Sequence, residues 1–257
     1  MESNSTAFLI KIKLRHSLGR PSHSDFVQSE FDTVKIMSKK KEWIFLIVGV
    51  LGAMLGVYGV VAFNRYVLLS LPLVLRMVSM PVVYWLIALI PIIVMFVNKD
   101  KLVEYGFYKD KIQSQIIVGI FIGIAMSVVL TLIPHLVGFG EFVDSGKRYK
   151  YLWQFVYEFL YCIFAVGLVE EFVFRGFVYE KIKLISQKDM IAIIGSSALF
   201  GASHLFIGNI IQMLMTMGIG VIFCFCRLKI KNCSTLSLII GHGVYDALIT
   251  VWASILL

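Results

Sequence analysis

The segment Val169–Phe177, V-E-E-F-V-F-R-G-F, sets two adjacent carboxylates and a guanidinium into an otherwise apolar run. Ionisable groups at membrane depth are costly and mark function by default. Glu171 and Arg175 are four residues apart on a helix, so they share a face and can pair. At 100° per residue, Glu170 projects about 140° away from Arg175 and must find its partner on another helix or in water. A carboxylate poised that way suits a general base. Two further patterns lie downstream. Phe200-Gly-Ala-Ser-His204 places a ring and an imidazole on one face, and His242-Gly-Val-Tyr-Asp246 places an imidazole and a carboxylate on one face. A lone histidine on an apolar helix is usually a packing residue. Two histidines and an unpaired glutamate on three helices of one bundle offset their burial cost by meeting, and meeting makes a site.

The elements that must position them read as membrane spans. Of 257 residues, 59% are hydrophobic and only 16% charged, against about a quarter charged in a soluble domain. A span takes roughly 20 apolar residues. Seven candidates follow: Trp43–Phe63, Val78–Val97, Gln115–Val137, Leu152–Phe174, Met190–Ile207, Ile210–Cys226 and Thr235–Leu256. The shorter patch Tyr66–Leu75, with Pro72 inside it, is an interfacial segment or a lead-in to the second span. The expected fold is an all-α polytopic transmembrane bundle.

The net charge of +8 sits in the connections between apolar runs, which reads as membrane topology and not as nucleic-acid binding. The flanks at residues 39–41, 99–111, 175–188 and 227–231 carry fourteen Lys and Arg, and those at 65–76 and 147–150 carry five. The positive-inside rule then predicts an N-in, C-out cell-membrane protein. Cys162, Cys224, Cys226 and Cys233 lie in or beside apolar runs without the spacing of a disulfide framework or zinc knuckle.

Residues 1–42 lack a long apolar stretch and a cleavage site and read as a disordered cytosolic tail, with Met37 an alternative start. Residues 43–137 form the N-terminal spans, and 150–256 the helical core that carries the motifs. If Leu152–Lys183 and Met190–Ile207 form an antiparallel hairpin turning at Ser186–Asp189, Glu170 and His204 lie at one depth, about 20–25 Å from the turn. This requires the fourth helix to run on past Arg175. His242 is only about 12 Å in from Ser234 by the same rise, a mismatch of about two turns.

In this order and near the C-terminus, Glu170-Glu171…Arg175, Phe200…His204 and His242…Asp246 resemble the CAAX prenyl endopeptidase and bacteriocin-processing (CPBP, or Abi) family, whose pattern is E-E-x-x-x-R, F-x-x-x-H and H-x-x-x-N or D. The resemblance covers about residues 150–250. It implies an intramembrane endopeptidase open to the cytosol that acts on membrane-associated peptides or proteins, either CAAX-type tails or bacteriocin- and pheromone-type peptides. In it, Glu170 activates a water, His204 holds it or relays protons, His242 and Asp246 bind the oxyanion, and Glu171 with Arg175 fixes the helix. Asp246 stands where one branch of the family has Asn. An ionised Asp cannot donate to an oxyanion, which leaves it to orient His242 or to carry a proton.

No cofactor is obligatory on this reading. The alternative is a zinc ion held by Glu170, His204 and His242 with a water in the fourth position. A rhomboid-like serine site lacks its nucleophile motif, since Ser203 and His204 are adjacent and face apart. A presenilin-like pair lacks G-x-G-D. The rival function is a non-catalytic protein of the same fold that acts in bacteriocin self-immunity or regulates an envelope sensor. A transporter is disfavoured because no inverted repeat is visible.

Overall fold

A helix needs about 20 residues to cross the hydrocarbon, yet the fourth apolar helix runs for 35, from Leu152 to Ser186. The computed structural model describes residues 23–143 and 146–256, and among these the chain is helical with no strand. Seven helices are long and apolar enough to cross a membrane: Lys39–Ser70, Leu73–Asn98, Ile112–Leu136, Leu152–Ser186, Asp189–Phe206, Ile210–Lys229 and Thr235–Leu256. They match the seven expected spans one for one. Outward faces carry large apolar side chains such as Leu55, Phe96, Phe121 and Ile211, all more than 60% exposed, as a surface facing lipid requires.

The chain divides into two units, Met1–Ile44 and Phe45–Leu257. Of the expected disordered tail, residues 1–22 lie outside the described residues. From His23 the chain is helical, in an element that continues to Tyr66.

Prolines shape the second span. Helix Leu73–Tyr84 contains Pro81 and helix Leu86–Asn98 contains Pro91, and the two meet at Trp85. Pro81 has no N–H for the Met77 carbonyl. The hydroxyl of Tyr157, on the fourth span, donates to that carbonyl instead at 2.9 Å. In the third span, Pro134 likewise withholds a donor, and the turn before it, Val128–Leu132, opens into a π-helix.

The fourth span departs twice from α geometry, at Cys162–Gly167 and Phe172–Val178, both π-helical. The short α segment Leu168–Glu171 between them carries both carboxylates. Every residue from Val169 to Tyr179 is buried. The core around it joins Leu46, Val57 and Val60 of the first span, Ile87 and Met95 of the second, and Phe172, Phe174 and Phe177 of the fourth. The helix continues past Arg175 to Ser186 and ends where Gln187 takes a left-handed conformation (φ 59°). Asp189 starts the next span and receives Lys183 at 2.9 Å. The expected hairpin and its turn are both present.

Candidate active site

The seventh span is seated by close backbone approach. Gly241 and Gly243 flank His242. A Cβ on Gly241 would lie 3.1 Å from the Gly119 carbonyl oxygen of the third span. A Cβ on Gly243 would lie 2.5 Å from Ile163 Cα of the fourth, closer than real Cβ contacts come. Small residues let spans meet backbone to backbone, and here they set the imidazole between them against Glu171. Gly243→Ala is therefore expected to push the seventh span off the fourth. It should cost about 1–3 kcal/mol of stability and about 10²-fold or more in turnover. Thermal unfolding and rate measurements in nanodiscs check this against Gly218→Ala, whose new Cβ meets nothing within 4 Å.

The carboxylates are built into a network across the second, fourth and seventh spans. Arg175 Nη1 donates to Glu171 Oε1 at 3.0 Å, with both side chains almost fully buried. The same oxygen lies 2.7 Å from His242 Nδ1. His242 Nε2 faces two other carboxylates, Glu170 Oε2 at 3.7 Å and Asp246 Oδ2 at 3.4 Å. With Nδ1–H donated to Glu171, a bare Nε2 lone pair would confront two carboxylate oxygens.

Glu170 also accepts a hydrogen bond from the Tyr84 hydroxyl. Glu170 and His242 are buried, while the Asp246 side chain is about a quarter exposed and opens the cluster on one side.

Two corrections to the expected layout follow. Glu171 is not only the partner of Arg175: it also holds the imidazole of His242, fixing its tautomer as carboxylates do for functional histidines. And the partner that meets Glu170 is His242, not His204. The depth mismatch expected for His242 is absent because the seventh span begins already buried. Ser234 and Thr235 lie under the segment Leu102–Tyr105, and Thr235 Oγ1 donates to the Tyr105 carbonyl at 2.7 Å. On the fourth span, the wide turns of Phe172–Val178 advance less per residue and draw Glu170 toward the turn at Gln187.

His204 stands at the end of helix Asp189–Ser203, in the 3-10 turn His204–Phe206. Its Nδ1 lies 3.0 Å from the Phe200 carbonyl, to which it donates. Among the described residues no hydrogen bond or ion pair joins it to Glu170. The Phe200 ring separates the two histidines, 4.8 Å from His204 and 6.1 Å from His242, centroid to centroid. Nor do Glu170, His204 and His242 gather as a ligand set: among the described residues, no three His, Cys, Asp or Glu side chains stand together at metal-binding spacing.

The Arg175 guanidinium is packed between aromatic rings, with Cζ 4.1 Å from the Phe200 centroid and 5.4 Å from that of Phe223. Its backbone carbonyl accepts from Arg227, which also pairs with Glu180. A second buried carboxylate, Glu158, lies on the same span. It receives Lys147 at 2.6 Å, Tyr149 at 2.9 Å and Thr250 at 3.3 Å. Burial and the Glu158 carboxylate push the Tyr149 phenol up from its ordinary range. With two donors from the connection before the fourth span, Glu158 reads as a tie between that connection and the seventh span.

These features define a polytopic helical membrane protein with a carboxylate–imidazole cluster buried between spans and open on its Asp246 side. Residues 152–248 match the family described as type II CAAX prenyl endopeptidase Rce1-like, a family of intramembrane proteases. The matched segment holds all six candidate residues. No curated protein and no solved structure matches the chain.

Proposed function

We propose that the protein is an intramembrane endopeptidase in which Glu170 is the general base. The observation that carries this reading is the division of labour around His242. Glu171 occupies Nδ1 and leaves Nε2 facing the same open side as Glu170 and Asp246. A water held at Glu170 Oε2 gives its proton to that carboxylate as its oxygen attacks the scissile carbonyl carbon. The oxyanion that forms accepts from His242 Nε2–H, the kind of preorganised donor that dominates acyl-transfer catalysis. Glu170 then passes the proton to the departing amide nitrogen, and the C–N bond breaks. Asp246 cannot donate when ionised. Its place 3.4 Å from Nε2 suits it to hold the imidazolium between turnovers. His204, half-buried beside Phe200, would hold water or relay protons.

Basic residues crowd 99–111, 181–188 and 227–231, at or beside the ends of the spans. This supports an N-in, C-out orientation with access from the cytosol. The substrates on this reading are membrane-associated peptides, CAAX-type tails first and small bacteriocin- or pheromone-like peptides second. The test compares small membrane and secreted peptides by mass spectrometry from cells carrying the wild type and Glu170→Gln. Products found only with the wild type are the expected result. Equal products at equal expression would favour a binding-only role in immunity or envelope regulation.

A further inference from the structure

The second span lies outside the segment matched to the family, yet it supplies the only hydroxyl on Glu170 among the described residues. Resting on the reading of Glu170 as base, we propose that Tyr84 is a positioning residue for it. The Tyr84 O–H occupies Oε1, which directs Oε2 toward His242 Nε2 and leaves that oxygen to take the proton of the attacking water.

The position of Tyr84 is itself determined by a relay that starts in the sequence. Pro81 strips the Met77 carbonyl of its helical donor, and the Tyr157 hydroxyl takes the vacancy at 2.9 Å. Tyr157 stacks on Tyr161, with centroids 6.1 Å apart and planes 7° from parallel. Tyr161 in turn meets Tyr84 edge to face at 6.2 Å. The helical break at Trp85, immediately after Tyr84, ends the segment so that its last side chain turns into the bundle. Three tyrosines and a proline thus fix one hydroxyl on one carboxylate oxygen. A packing aromatic needs no hydroxyl there. Phenylalanine would fill the same space, and an apolar span carrying a phenol pointed at a buried carboxylate has a polar purpose.

The experiment uses the full chain in nanodiscs with a quenched fluorogenic peptide ending in farnesyl-cysteine and three further residues. Tyr84→Phe, which keeps the ring, is expected to lower kcat by about 10- to 100-fold with KM within about twofold and thermal stability unchanged. Combined with Glu170→Gln, it should add no further loss, because the two act on one group. Wild-type kcat in Tyr84→Phe, beside an inactive Glu170→Gln, overturns the role of Tyr84 and leaves the protease reading standing. An active Glu170→Gln overturns both. A second readout needs no substrate. The Glu170 carboxylate band is identified by infrared difference against Glu170→Gln, and it is expected to shift in Tyr84→Phe. An unmoved band overturns the proposal whether or not the peptide is cleaved.

Discussion

Glu170→Gln is expected to lower turnover by about 10²–10⁴-fold, the range for loss of a positioned general base, while the protein still folds and inserts. The amide is nearly isosteric and its carbonyl oxygen still accepts from Tyr84, so the packing around it is preserved. What it cannot do is take a proton from water. The matched control is Asp246→Asn. On the proposed roles it keeps a polar group near His242 Nε2 and loses far less than Glu170→Gln. Rates in nanodiscs for both variants, beside circular dichroism and melting curves, separate a chemical defect from misfolding. If Glu170→Gln retained even a tenth of wild-type turnover, the base would have to be another group.

The same comparison shows what the sequence could reveal. Spans, hairpin and motif pairs were legible because each is a local period. Apolar runs of span length, a turn at Gln187 and the spacing of Glu171 with Arg175 need no knowledge of neighbours. The partner of Glu170 was not legible. Tyr84 is 86 residues away and sits in a run, V-V-Y-W-L, where a tyrosine reads as ordinary packing or as an interfacial anchor. Depth was misjudged for a physical reason too. Counting 1.5 Å per residue assumes α geometry and spans that start at the surface. The fourth span contains two π segments, and the seventh starts beneath the segment Leu102–Tyr105. Pro81 was the one available hint. A proline inside a span implies a bared carbonyl, and a bared carbonyl implies a donor such as Tyr157.

Arg175→Met is expected to have the largest effect on stability, about 3–5 kcal/mol, the cost of removing one partner of a buried ion pair. Arg175 and Glu171 are buried to 1% and 0% exposure, so neither charge can recover hydration in place. Methionine keeps much of the volume between Phe200 and Phe223, which confines the loss to charge and hydrogen bonding. Among the described residues, Glu171 would then retain only its contact with His242 Nδ1. His242 and the fold are thereby coupled through one oxygen, Glu171 Oε1. The double variant Glu171→Gln/Arg175→Met tests this coupling. It removes both charges and keeps an amide oxygen for His242 Nδ1, so it should recover most of the stability lost in Arg175→Met. Denaturant or thermal unfolding in detergent measures the cycle. A single variant that loses less than about 1 kcal/mol, or a double variant no more stable than the single, would show that the buried pair is not what stabilises the fourth span.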